Sequence, residues 1–414
     1  MKYYPALQRH DNQKNKIQNY NSSYLIVFYL LVSTILLHGQ TQIEVYKKHI
    51  SYFKAVNNEI IPDSINNLFF LNYPKLEDTI SPGYNNDPQK IGASYYTYNK
   101  LNNLLIQFAF VSQHLVETQN GYLDNKVWYR VSIDNGKSFS VLKPIIQSGE
   151  EFNLNHPIKP VYIGKNGFYL SNPGIVGTDR NFYIPFYFPP LNDKGKFLNP
   201  YKSYGYSYAG ILKGKPDYSS RNIQWNVSII APDTNVSSCG FDESTIAELD
   251  RPGYFLCIFR ASNNKYSNTI KGYKYYAISD DYCKTWSVPK PLIYSNGSNF
   301  FSPASPSMLV KSTITNNLYW IGNITDQNPD GDYPRFPLII AQVDKKNYGI
   351  IKNTITVIDD YNPAEDSKKV QLTNFLVRNI PGSDDIIIRL RRIDWELAKE
   401  TIKFPICMYW LRFH

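Results

Sequence analysis

The chain has 414 residues, 44 Lys and Arg against 35 Asp and Glu, a formal charge of +9, and 15% aromatic residues with 35 Tyr. That strand-friendly composition excludes a disordered chain. The basic excess is spread without clustered Lys or Arg, which argues against a nucleic-acid partner.

Lys2, Arg9, Lys14 and Lys16 precede an apolar run of 14 residues, Tyr24 to Leu37. That length is short for a membrane span and suits the core of a signal peptide. Gly39 is the small residue of a cleavage zone. Residues 1–39 are therefore expected to be a signal peptide, or a membrane anchor if retained, ahead of one domain over residues 40–414. The expected location is secreted, periplasmic or cell-surface, with a membrane contact only if the segment stays. Losing it removes four bases and one acid, so the charge falls from +9 to +6. Such a mild excess fits a cleft for an acidic sugar as well as a solvated surface.

Beyond it, short aromatic and β-branched runs alternate with turn residues. They include Leu104–Val111, Asn181–Phe188, Gly253–Ala261, Asn317–Ile324, Arg335–Val343 and Asp385–Arg392. Helical periodicity is confined to a short stretch at Ile61–Leu71. Many short strands without alternating helices predict an all-β sandwich or propeller. Cys239, Cys257, Cys283 and Cys407 allow three disulfide pairings in an exported protein, and the spacing selects none. The six His are scattered and there is no C-x-x-C, so no metal site is predicted, and no cofactor is implied.

Two turns share a frame: Ser132-x-Asp134-x-Gly136-x-Ser138-Phe139 and Ser279-x-Asp281-x-x-x-Thr285-Trp286. Each lies between strand-like runs. Asp accepts bonds from the turn's backbone N–H groups, Gly takes a left-handed conformation, and the aromatic plugs the hairpin. Asp134 and Asp281 are therefore read as turn formers. Cys283 stands where the first copy has a permissive residue, which predicts a turn that is strained or differently shaped. Asp217–Ser228 reads as a degenerate third copy. This pattern resembles the Asp-box of the sialidase (neuraminidase) superfamily, in an uncharacterised bacterial sialidase-like branch. The resemblance implies a six-bladed β-propeller of four-stranded blades, at roughly 60 residues each.

The segment Cys239–Asn264 resembles the sialidase strand pair that a Glu opens and an Arg closes. It implies Glu243 as a catalytic carboxylate, Arg260 as a substrate-binding arginine, and Asp242 beside them where Asn is common. A carboxylate beside a fixed guanidinium keeps its charge and orientation. Phe300–Asp344 resembles the region of a further binding arginine, at Arg335. Ahead of Arg335, Asn323, Asp326, Asn328, Asp330 and Asp332 form a polar loop suited to hydroxyl recognition. The segment Val370–Asn379 adds Asn374 as a substrate-binding residue. The chain departs from the family in two places. No Arg stands between Arg9 and Arg130, so the first arginine of the triad has no counterpart; Gln371 or Leu372 falls where a Tyr nucleophile is expected. Most glycosidases use two carboxyls, and Glu117, at the exit of an early strand, is the second candidate. The implied function is an exported glycoside hydrolase cleaving a terminal glycosidic bond of a glycan or glycoconjugate, with an α-sialoside among the candidate substrates. The competing reading is a non-catalytic glycan- or protein-binding propeller.

Overall fold

The computed structural model describes residues 43–50, 90–99, 104–112, 125–134, 136–312, 314–379, 383–397 and 404–413. The expected signal segment, the helix-like run and the loop carrying Glu117 lie outside these residues. The described chain is all-β; its one helical element is a 3₁₀ turn at Lys352–Thr354.

Strand β1 (Ile43–Ile50) comes first and pairs last. The first sheet holds β2 (Lys90–Asn99), β3 (Leu104–Ser112), β4 (Asn125–Ser132) and β5 (Lys143–Pro144). The second holds β6 (Tyr169–Leu170), β7 (Ile175–Val176), β8 (Phe182–Phe188), β9 (Tyr208–Asp217) and β10 (Asn222–Ile230). The third holds β11 (Asp242–Glu248), β12 (Phe255–Arg260), β13 (Tyr275–Ser279) and β14 (Lys290–Pro291). The fourth holds β15 (Met308–Lys311), β16 (Leu318–Asn323), β17 (Leu338–Gln342) and β18 (Thr356–Asp359). The fifth holds β19 (Gln371–Asn379), β20 (Ile386–Ile393) and β21 (Ile406–Phe413), and β1 completes it against β21. All the strand pairings are antiparallel. Five sheets are thus found among the described residues, where the sequence predicted six blades. Residues 51–89, between β1 and the first sheet, lie outside the description.

Apolar clusters fill the spaces between consecutive sheets. Phe108 and Tyr129 meet Phe182 and Trp225; Tyr183 and Ile211 meet Phe255 and Phe259; Leu256 and Ile258 meet Trp320 and Ile339; Tyr319 and Ile340 meet Ile388 and Tyr409. Each such large side chain contributes about 1.5–3 kcal/mol on burial. A buried polar knot joins the fourth and fifth sheets. Arg392 pairs with Asp359 and, at 2.5 Å, with Asp366; Tyr409 donates to Asp359, which Lys47 of β1 also meets at 3.2 Å.

The two Ser-x-Asp turns join the third and fourth strands of their sheets. In the first, Ser138 N and Oγ donate to Asp134 at 2.9 and 2.6 Å, Ser132 Oγ donates to Asp134 at 2.7 Å, and Gly136 N donates to Ser132 Oγ at 2.8 Å. In the second, Lys284 N and Thr285 N reach Asp281 at 2.9 and 3.0 Å. Both carboxylates are consumed by their turns, as the sequence reading required. Gly136 has φ +82°, and Cys283 adopts +62° at the matching place, with Tyr282 also at +62°. The expected strain is therefore present, since only Gly adopts this region freely. Asp217 occupies the equivalent turn of the second sheet and accepts from Ser219 and Ser220. All four cysteines are buried free thiols.

Candidate active site

The ends of β11 and β12 opposite the Ser279 turn build the site. Asp242 pairs with Arg260 and Thr245 with Ile258, so β11 carries one extra residue between them. This bulge re-aims Glu243, whose φ of +35° is left-handed. Such a conformation costs about 1–3 kcal/mol and persists only where the surroundings over-determine it. They do so here. Asn172, between β6 and β7, donates to the Ser244 carbonyl at 2.5 Å; Leu309 N of β15 donates to Thr245 Oγ1 at 2.9 Å. The neighbouring sheets thus grip the bulge from both sides.

Glu243 meets Arg260 Nη1 in a direct ion pair. Arg260 Nη2 reaches Asp332 Oδ1 and Tyr204 OH, each at 3.3 Å, and its Nε lies 3.7 Å from Asp242 Oδ1. Asp332 bridges to Arg335 Nη2 at 2.8 Å. Arg335 also donates to the Asp332 carbonyl at 3.0 Å, to Gln371 Oε1 at 3.0 Å and to the Ala304 carbonyl at 2.9 Å. Glu243, Asp242, Arg260 and Arg335 therefore lie together, with Asp332 as the link. Two guanidiniums face three carboxylates. Burial pushes the Asp242 carboxyl up to about 7, against the pull of Arg260 and with the push of Glu243. Burial also opposes the Arg260 charge, but Asp242 and Glu243 outweigh it and hold its pKa well above the usual value.

Glu243 opens onto a cleft of about 310 Å³, whose walls include Asn172, Ser307, Asn374, Arg389 and Arg391. Asn374 thus shares a cavity with Glu243. Glu117 falls outside the described residues, and the structure adds nothing to that assignment. Gln371, where a nucleophilic Tyr was sought, bonds to Arg335, and Leu372 is wholly buried. Of the loop read as a hydroxyl-binding surface, Asn323 and Asn328 point inward. Asn323 Nδ2 donates to the carbonyls of Arg335 and Pro337 at 3.2 and 2.9 Å, and Asn328 Oδ1 accepts from Gly272 N at 2.8 Å. They brace the loop.

Sequence reasoning missed Tyr204, Arg389 and Arg391. The two arginines stand two apart on β20, a spacing that puts both on one face of a strand. That alternation was the available signal. For Tyr204 none existed, because it reaches Arg260 from a loop 56 positions away.

No protein-family model matches the chain, and no curated protein is significantly similar to it in sequence. Solved structures do resemble it. A mutant of the NanB sialidase from Streptococcus pneumoniae matches at 14% identity and a TM-score of 0.50, over 79% of this chain and 56% of that one. The Trypanosoma rangeli sialidase matches at 12% identity and a TM-score of 0.48, over 80% of this chain and 46% of that one. A protein described as a glycoside hydrolase matches at 11% identity and a TM-score of 0.40, over 85% and 96%. The chain thus spans little more than half the length of the Streptococcus pneumoniae protein. At such identities the likeness is one of architecture, and the chain has a sialidase-like β-propeller fold.

Proposed function

We propose that this protein is an exported glycoside hydrolase that cleaves a terminal glycosidic bond, on a six-bladed Asp-box propeller spanning residues 40–414. The observation that carries the reading is Glu243. A strained backbone holds its carboxylate at a cleft and in an ion pair with Arg260, and strain of this kind clusters at functional sites.

Hydrolysis of this type uses one carboxyl that keeps its proton and another that is ionised. Asp242, pushed up to about 7 by burial, has the first property and supports a proton-holding role next to Glu243. Glu117 is the alternative partner. Burial raises the phenol pKa of Tyr187, with Glu243 and Asp242 adding to it, and burial outweighs Arg260 to raise that of Tyr204. Ionised phenols are disfavoured at both, which supports carboxylate chemistry over a Tyr nucleophile. Arg260 and Arg335 already bind Asp332, Gln371 and the Ala304 carbonyl, so they orient the site as much as they receive a sugar. Asn374, Arg389 and Arg391 are the proposed sugar-facing residues of the cleft.

The test is a chromogenic glycoside panel, an α-sialoside included, run on the protein and its Glu243→Gln, Asp242→Asn and Glu117→Gln variants. Turnover that vanishes in Glu243→Gln supports the proposal, and whichever other variant loses it names the second carboxyl. No turnover on any glycoside, with glycan binding that depends on Arg260 and Arg335, replaces it with a non-catalytic glycan-binding propeller.

A further inference from the structure

Lys274, immediately before β13, is wholly buried. Its Nζ donates to the Pro303 carbonyl at 2.7 Å, to the Ser305 carbonyl, and to Ser305 Oγ at 3.4 Å. Among the described residues no carboxylate touches it. A lysine is among the residues least often buried without a charged partner, so its place needs an explanation.

The loop it grips supplies one. Between Pro303 and Ser305 stands Ala304, whose carbonyl seats Arg335 Nη2 at 2.9 Å and whose N–H donates to Gly331 at 2.8 Å. Immediately after Ser305, Pro306 and Ser307 line the same cleft as Glu243. Ser305 Oγ also bonds to Asn323 Oδ1 at 2.9 Å, and Asn323 in turn holds the Arg335 carbonyl at 3.2 Å. A chain of hydrogen bonds thus runs from Lys274 through Ser305 and Asn323 to Arg335, beneath the site.

We infer that Lys274 is a positioning residue, which clamps the Pro303–Ser305 loop and thereby fixes both the Arg335 guanidinium and the Ser307 wall of the cleft. The inference rests on reading the cleft as the sugar site, but its test does not depend on turnover. The charged groups around Lys274 are Arg260, Arg335, Asp242 and Glu243. Burial, with the two arginines adding to it, draws the lysine pKa well below its usual value, against the pull of the two carboxylates.

The sign of the accompanying pH effect follows. The unfolded chain protonates Lys274 below about 10.4, while the folded protein resists that proton. Stability therefore rises with pH towards that value and is lost as pH falls through the folded pKa. Lys274→Met abolishes this component.

The experiment compares the full-length protein with Lys274→Met and Lys274→Gln. It measures hydrogen exchange at Ala304, Ser305 and Ser307, the NMR signals of the Arg335 and Arg392 Nε–H groups, and Tm between pH 7 and 10. Lys274→Met is expected to speed exchange at the three amides at least tenfold, to shift the Arg335 signal but not that of Arg392, and to flatten the rise of Tm with pH. Lys274→Gln keeps a donor of shorter reach and should fall between, and it serves alone if the Met variant does not fold. Unchanged loop exchange would overturn the clamp. So would acceleration spread equally over all five sheets, which would make Lys274 general core support. If the loop loosens in Lys274→Met while Glu243→Gln shows no catalytic defect, the clamp stands and the glycosidase reading fails.

Discussion

Substituting Glu243 by Ala and, separately, by Gly isolates the strain stored at the bulge. Both variants remove the carboxylate that meets Arg260, so that loss cancels between them. What remains is backbone. With φ at +35°, Ala bears a left-handed penalty of about 1–2 kcal/mol that Gly escapes. Gly concedes about 0.5–1 kcal/mol through the greater freedom of its unfolded chain. The difference favours Glu243→Gly over Glu243→Ala by about 0.5–1 kcal/mol. At an ordinary strand position the order is the reverse. The assay is paired urea unfolding, with one slope fitted to both variants so that midpoints report stability alone. If the Gly variant unfolds at lower urea than the Ala variant, Glu243 is unstrained and the observation that carries the proposed function loses its force.

Three other outcomes follow from the structure. Asp242 holds its proton up to about pH 7 when folded and to about 4 when unfolded; stability should therefore fall as pH rises between those values. Asp242→Asn should flatten that part of a Tm-versus-pH curve, and an unaltered slope would show that Asp242 is ionised throughout. Arg392→Met leaves the Asp366 side chain without its cation and that of Asp359 with Lys47 alone, each carboxylate being 7% exposed. It should cost about 3–5 kcal/mol in chemical denaturation, and a loss under 1 kcal/mol would mean that Lys47 and Tyr409 suffice for the knot. With four buried free thiols, a thiol reagent should label none in the native protein and four after unfolding without reductant; fewer than four would reveal a disulfide.

The parts of this protein that could be read in advance are those encoded over a few residues. The two Ser-x-Asp turns are an example, since their hydrogen bonds join groups no more than four positions apart. The strain at Cys283 was legible for the same reason, because a non-Gly residue stood where Gly is suited. Glu243 and Arg260 are 17 positions apart on adjacent strands of one hairpin, and pairing them required only that the hairpin form. Asp332 was seen as one of several polar loop residues. Its bridge to Arg260 spans 72 positions, and nothing local separates it from Asn323 or Asn328, which turned out to be internal braces.

By itself, then, the sequence determined an all-β class, the places of the turns and the central ion pair, because strand alternation and turn hydrogen bonds are short-range physics. The tertiary structure decided the rest. Only the stacking of the third sheet against the fourth puts Lys274 against the Pro303–Ser305 loop, and only the assembly of several sheets brings Asn172, Ser307, Asn374 and the β20 arginines around one cleft. Asn172 stands more than 100 positions from Ser307, Asn374 and the β20 arginines, and over such separations neither charge pattern nor periodicity specifies which side chains will meet. The packing between whole sheets does, and it is set by the sum of many apolar contacts that no single stretch of the chain encodes.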